Sequence, residues 1–420
     1  MDSLSTAIIK KVCIAIFLMV VFLMAFNALY VSLVIGFASL AFIMGTVNRA
    51  MIIQGAGLAF LLAIFNVSKA PESDLLNYID FFYYVEKQDF LSLFNSAYLS
   101  IRPTEFVFTI YVWFLTVCFD SALYFTLMST ALIYGLVFYG VYVLINHHTL
   151  LNHVSQHKVR ERLLIIISFF FIAFAFITFS LSGHLIRQYL ALAVFFLGLC
   201  YQSTSRPKVG SLFFLMAIFV HNSVIVLVAL YYSALVTSKL IKRLRGSSQV
   251  ALVLSFILLI ELLLILSLKS YAESQFPIAF LLNDGSIPLS LVIIDVVLFC
   301  SFLAVLYVGK NRMLYLSSLI IFILMYTVFL AATYDIALIS LRYYFLMDFL
   351  RCFLFVFIVF LIRPYIIKKV VMIFSVGLVV LPLLIFGARY EKSPWVYYHS
   401  ASDLISVSVV GAIDAFSSHY

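Results

Sequence analysis

Charge is scarce in this chain: charged residues make up 10% of its 420 residues, where a soluble domain carries about 25%. Hydrophobic residues make up 65%, and the mean hydropathy is +1.17. Length alone would allow two or three soluble domains, but no soluble fold hides so much apolar surface. The expectation is an all-α, polytopic integral membrane protein forming one membrane domain over 1–420. A cytosolic enzyme, a nucleic-acid-binding domain and a secreted disulfide scaffold are excluded. The five cysteines all lie in apolar runs at no metal-like spacing, which makes them small hydrophobes rather than a disulfide framework or a zinc site. There is no P-loop, no glycine-rich dinucleotide fingerprint, no H-E-x-x-H and no G-x-S-x-G. No Asp-x-Asp pair marks a divalent metal, so an outward-facing site would handle anions with arginine, and no metal or cofactor is expected. Internal repeats, low-complexity tracts and appended soluble domains are missing as well.

What the chain has is long apolar runs. A span needs about 20 mostly apolar residues, with about 17 as the practical minimum. Runs that qualify are 12–28, 30–47, 50–67, 121–145, 163–181, 186–202, 250–268, 289–308, 313–331, 344–362 and 370–387, about eleven transmembrane helices. Lys10 and Lys11 before Val12–Leu29 resemble a signal peptide. The run is too long for one and lacks a small-residue cleavage site, so a retained first span is expected.

Basic residues set the topology. Lys10/Lys11, Arg49, Lys158/Arg160/Arg162, Arg206/Lys208, Lys239/Lys242/Arg243/Arg245, Lys310/Arg312 and Arg363/Lys368/Lys369 hold 17 of the 26 basic residues. Placed on the cytoplasmic side, they let the spans alternate without conflict, with the N-terminus inside and the C-terminus outside. Two stretches then must not cross. Residues 105–119 become a short outer helix. Residues 210–236, flanked by basic clusters at both ends, become a re-entrant hairpin turning at His221, Asn222 and Ser223. Its first arm from Gly210 would reach about 16 Å, near the middle of a core about 30 Å thick. The alternative is one long tilted span. Segments 68–120, 269–288 and 388–420 lie outside.

In such a chain the costly residues are informative. Arg187 and Gln188 open the span 186–202, and Arg187 has no acidic neighbour in sequence, which invites an anionic ligand. His184 would share its face if the helix began early enough. Asp348 and Arg351, three apart, read as a structural pair. Glu261 and Asp295 read as contacts to helix ends or backbone. His147, His148, His153 and His157 read as a solvated linker rather than a metal tract. Tyr78, Phe81, Phe82, Tyr83, Tyr84, Trp395, Tyr397 and Tyr398 read first as interfacial anchors and second as a platform for sugar rings.

These residues carry a family resemblance. Arg187-Gln188 with Leu190-Ala191 reads RQYLA, followed by FVHNS at 219–223. The pattern resembles the RQ-x-[IL]-A … H-x-S of the EpsG-like and Wzy bacterial polysaccharide polymerases. Asp74 and Tyr78 look like that family's D-x-x-x-Y. Thr104-Glu105-Phe106 looks like its E-P-G-F region with Pro and Gly missing, and Leu341-Arg342-Tyr343 resembles a late arginine motif. The likeness runs from about residue 50 to 362, and the spans at 12–47 look like an addition. It implies a GT-C-like, metal-independent glycosyltransferase of the bacterial inner membrane. Donor and acceptor would be undecaprenyl-pyrophosphate-linked oligosaccharides, joined on the periplasmic face into O-antigen, capsule or exopolysaccharide. A chain-length regulator is a candidate partner beside the bilayer; nucleic acid is not. Arg187 and Arg342 would stabilise the leaving pyrophosphate. His221 would be the base, with Asp74 or Glu105 in reserve. Gln188, Ser223 and Tyr78 would orient sugars or pyrophosphate. Two other readings share some of these features: a lipid-linked oligosaccharide flippase, which would ordinarily show repeat symmetry, and an O-antigen ligase.

Overall fold

The computed structural model describes residues 27–44, 50–72, 74–93, 105–147, 159–204, 206–243, 247–275, 289–308, 313–333, 342–361, 374–393 and 398–408. Within them the chain is helical, and its extended pairing amounts to one isolated bridge between Asn27 and Ser408. The first helices are α1 (Ala28–Met44), α2 (Ala50–Asn66), α3 (Asp74–Glu86), α4 (Phe106–Cys118), α5 (Ala122–His147) and α6 (Val159–Phe171). Then come α7 (Ile186–Gln202), α8 (Pro207–Val220), α9 (Val224–Ile241) and α10 (Ser247–Gln275). The last are α11 (Leu289–Val308), α12 (Met313–Ala332), α13 (Leu346–Leu361) and α14 (Ser375–Glu391). The expected spans from 30 onwards each fall on one of these helices; 12–28 lies almost wholly outside the described residues. Of the described helices, α5 over Ala122–Ile145 and α9 over Val224–Ile241 are individually long and apolar enough to cross a bilayer, and the other apolar stretches are shorter.

Side-chain contacts fix the relative directions of the helices. Asn66 on Thr130 and a Gly55 packed on Phe138 make α2 and α5 antiparallel. Gly140 against Phe196 and Cys200, with Tyr134 near Ser182 ahead of α7, makes α5 and α7 parallel. Tyr189 on Phe345 and Phe196 on Phe353 make α7 and α13 parallel. Asp295 on Arg351 and Phe302 on Phe357 do the same for α11 and α13. These are the directions that an alternating set of spans requires. Arg187 lies towards the N-terminal end of α5, since Phe108 flanks its guanidinium and also meets Phe125. There Phe108 of α4 meets Phe125 of α5 and Phe81 of α3, so α3 and α4 form a cap over that end of the bundle.

The two arms of the expected hairpin run antiparallel, with different dimensions from those the sequence suggests. Tyr232 donates a hydrogen bond to Ser211 (2.7 Å), and Phe214 packs on Tyr231 and Tyr232, so α8 and α9 run antiparallel about His221–Ser223. The first arm starts at Pro207, not Gly210, because proline fits the first helical turn without losing a hydrogen bond. Its 14 residues reach about 21 Å and the 18 of α9 about 27 Å. His221 therefore does not sit at half the depth of the bundle. α8 lies along the length of α7, and His221 stands level with Arg187.

The span expected over 163–181 also ends earlier. α6 passes into a π turn over Ile172–Phe176, the chain breaks at Ile177–Thr178, and a short helical turn, Phe179–Ser182, leads towards α7. Broken backbone inside a bundle must find partners within the protein. Arg351 donates to the carbonyl of Phe176 (3.3 Å), Arg389 to that of Ala175 (2.5 Å), and the N–H of Thr178 donates to Asp348 (2.8 Å).

Candidate active site

Glycine brings α7 and α8 together. A Cβ on Gly198 would stand 2.6 Å from the Phe214 ring, and one on Gly210 would stand 2.8 Å from the carbonyl of Gly198. Small residues are the usual device for close helix packing where no hydrophobic gradient drives it. Phe195 stacks on Phe214 along the same seam (4.8 Å). The antiparallel register that results places the C-terminal end of α8 beside the N-terminal end of α7, and hence His221 beside Arg187.

Glu105 joins the two. It immediately precedes α4, and its side chain is almost wholly buried. One carboxylate oxygen accepts from Arg187 Nη1 (2.7 Å); the other meets His221 Nδ1 (2.8 Å). A carboxylate on Nδ1 fixes the imidazole tautomer and leaves Nε2 as the lone-pair nitrogen. Among the described residues no hydrogen bond reaches Nε2. Burial is the main effect on His221 and pushes its pKa below 6.5. The Glu105 hydrogen bond opposes the shift, and the charges of Arg187 and Arg342 reinforce it. The imidazole is neutral at physiological pH, the form a base requires. Phe106 against Phe219 (4.8 Å) closes the apolar side. Tyr78 and Phe108 flank the Arg187 guanidinium at 6.0 and 5.9 Å, within cation–π range.

The residues just ahead of α13 complete the group. Gln188 donates to the Arg342 carbonyl (2.6 Å), Tyr343 to that of Ser223 (3.1 Å), and Tyr326 to that of Tyr343 (2.5 Å). Gln188 thus spends its amide donor on the chain that carries Arg342, and the Arg342 side chain is exposed. Ser223 sits at the start of α9 and contributes its carbonyl to that tie. Asp74 opens α3 one turn before Tyr78; among the described residues no hydrogen bond or ion pair joins it to the group. Thr104 lies outside the described residues, as do His148, His153, His157, Trp395 and Tyr397.

Two buried residues lie near the site, and one of them departs from the sequence reading. His184 does not share the face of α7, which begins at Ile186; it is buried in the turn before it. Burial, reinforced by the nearby Lys69 charge, lowers its pKa to about 3 and keeps it neutral. Lys69, which follows α2, is buried and donates to the Ser180 carbonyl. Desolvation lowers its pKa well below the usual lysine value, against an opposing pull from Glu72. Nothing in the local sequence signals that burial.

A second charged cluster lies deeper. Arg351 binds Asp348 (2.7 Å) and Asp295 (2.5 Å), and Tyr344 donates to Asp295 while Tyr189 donates to Asp348 (2.9 Å). The Asp348–Arg351 pair expected from spacing is there, with a third member. Asp295 contacts these side chains and not a helix end or backbone, because α11 and α13 run parallel and bring it level with Arg351. Glu261 differs as well: it is buried on α10, and neither carboxylate oxygen has a hydrogen-bond partner among the described residues.

Among the described residues no group of three or more His, Cys, Asp or Glu side chains could hold a metal ion. The four described cysteines, Cys118, Cys200, Cys300 and Cys352, are free thiols. No curated protein and no solved structure matches the chain. The EpsG family model matches residues 56–400, which takes in Arg187, Glu105, His221 and Arg342 as well as Asp74 and Tyr78. A helical membrane chain that gathers these residues at one end of its bundle, and that this model matches over most of its length, belongs to the EpsG family.

Proposed function

We propose that this protein polymerises lipid-linked oligosaccharide repeat units into a surface polysaccharide. In this reading it is a metal-independent glycosyltransferase of the bacterial inner membrane, with the Arg187 end of the bundle facing the periplasm. Family membership supports a polysaccharide polymerase. The observation that carries the chemistry is the Arg187–Glu105–His221 constellation, with Arg342 beside it.

The donor is a glycan on undecaprenyl pyrophosphate, and the acceptor is a sugar hydroxyl of the next lipid-linked unit. The hydroxyl oxygen attacks the donor's anomeric carbon as the bond from that carbon to the phosphate oxygen breaks. Negative charge grows on the leaving pyrophosphate. Arg187 and Arg342 meet it with preoriented donors, an effect worth about 10²–10³ in rate per donor. The hydroxyl proton passes to His221 Nε2, worth about 10²–10⁴, while Glu105 on Nδ1 stabilises the imidazolium that forms. A single displacement inverts the anomeric centre. Tyr78, on the rim with Asp74 one turn away, offers a ring face and hydroxyl to a sugar. Gln188 acts by holding the Arg342 chain.

The test is a gel of surface glycan from a deletion strain complemented with wild type or Arg187→Ala. A ladder that collapses to a single repeat unit and returns only with wild type supports the polymerase. Single units trapped on the cytoplasmic side would identify a flippase, and long chains stranded on carrier lipid would identify a ligase; either result removes this reading.

A further inference from the structure

Glu105 occupies a contested position. Its Oε2 accepts from Arg187 Nη1, a donor that a phosphate oxygen would use in the proposed reaction, and its Oε1 sits on the nitrogen that controls the base. The side chain is almost fully buried, so water does not substitute for either contact. Building on the polymerase reading, we propose that Glu105 is a switch that couples donor binding to base activation. A phosphate anion arriving on Arg187 displaces one carboxylate oxygen, and the carboxylate's pull then shifts from Arg187 to His221.

The direction follows from the charges around the imidazole. The groups facing His221 are Glu105 from the start of α4, Arg187 from α7 and Arg342 from the chain ahead of α13. Tyr343 reaches the same turn through the Ser223 carbonyl, and Tyr78 from α3 flanks Arg187. Burial and both arginines disfavour imidazolium, and only Glu105 favours it. While Glu105 is shared with Arg187, its charge is partly spent. A pyrophosphate on the two arginines neutralises the groups that oppose protonation and frees the one that supports it. The histidine becomes a competent base when the leaving group is in place. Before that, the resting site holds Arg187 paired with Glu105, the Arg342 charge beside them and a neutral imidazole. No bond other than hydrogen bonds changes in the switch; the proton that His221 later accepts is the acceptor hydroxyl's.

Glu105→Gln distinguishes this role from a structural one. The amide keeps shape but competes poorly for Arg187, so the donor KM is expected to fall while kcat drops by at least about tenfold. A merely structural glutamate would raise KM or lose folded protein. A second measurement is independent of turnover. Diethylpyrocarbonate attacks neutral imidazole, so its rate on the His221 peptide, followed by mass spectrometry across pH, gives a midpoint. With the purified protein in detergent, inorganic pyrophosphate is expected to raise that midpoint by about one unit, and by clearly less in Glu105→Gln. Arg187→Gln, which releases Glu105 permanently, is expected to raise the midpoint without any pyrophosphate. A wild-type midpoint that ignores pyrophosphate, or moves equally in Glu105→Gln, overturns the switch. Elongation without a midpoint shift would remove the coupling alone; a shift without elongation would remove the polymerase reading and leave the anion-responsive pair.

Discussion

Two arginine clusters in this bundle use the same residue types for opposite ends. Around Arg351 every charge is answered inside the protein by Asp295, Asp348, Tyr344 and Tyr189, and backbone groups at the break after α6 take the remaining bonds. Around Arg187 one carboxylate is divided between a guanidinium and an imidazole, no hydrogen bond among the described residues reaches Nε2 of His221, and Arg342 is exposed. A closed network holds a discontinuous helix in place. An open one has capacity for a ligand. Buried arginine in an apolar bundle is therefore not itself a sign of a site; what matters is whether its partners are exhausted.

The strongest way to break the contrast is to remove function from one cluster and fold from the other. Arg187→Ala and His221→Ala are each expected to cut chain elongation by about 10²-fold or more, at unchanged protein level by immunoblot of membranes. Arg351→Met is expected to do the reverse. It leaves two buried carboxylates uncompensated, a loss of about 3–5 kcal/mol, seen as low folded yield and early unfolding in detergent. Smaller is the effect of Gly210→Val, which forces α8 off α7; overpacking of this kind costs about 1–3 kcal/mol and should move His221 away from Arg187, so elongation falls more than thermal stability does. The pH profile sharpens the comparison further. Because burial and two arginines hold His221 below 6.5 in the free site, elongation at limiting donor, which reports the free enzyme, should be flat through neutrality and fall only in acid, as the base becomes protonated. Loss of rate already above pH 7 would assign the base elsewhere. Asp74→Asn is expected to have the smallest effect, about 0.5 kcal/mol or less in stability, with a milder elongation defect than Arg187→Ala.

The helices were largely legible in the amino-acid order because apolar length is a local property. α2, α5, α7 and α11 to α13 begin and end within a few residues of where the apolar runs do. The basic clusters likewise predict the chain reversal at His221, since both flanks carry lysine and arginine. The site was half legible. Arg187 stands out as an uncompensated charge at a helix start and His221 as a polar residue at a turn. Glu105 stands out only through a partial motif, as a reserve base; nothing in the sequence shows it as the bridge between Arg187 and His221. The partnership of Asp295 with Arg351 was invisible too, since 56 residues separate them.

Sequence by itself determined that this chain is an apolar, helical membrane protein, where its helices lie, and which charges are costly enough to need a reason. Composition and run length act residue by residue, so no fold is needed to read them. Only the tertiary structure decided which charges are spent and which are available. The glycine seam between α7 and α8 sets His221 level with Arg187, the cap of α3 and α4 brings Glu105 and Tyr78 to them, and the parallel course of α11 and α13 closes the cluster around Arg351. Hydrogen bonds and ion pairs act over about 3 Å, and contacts that short between distant residues exist only once the helices have packed.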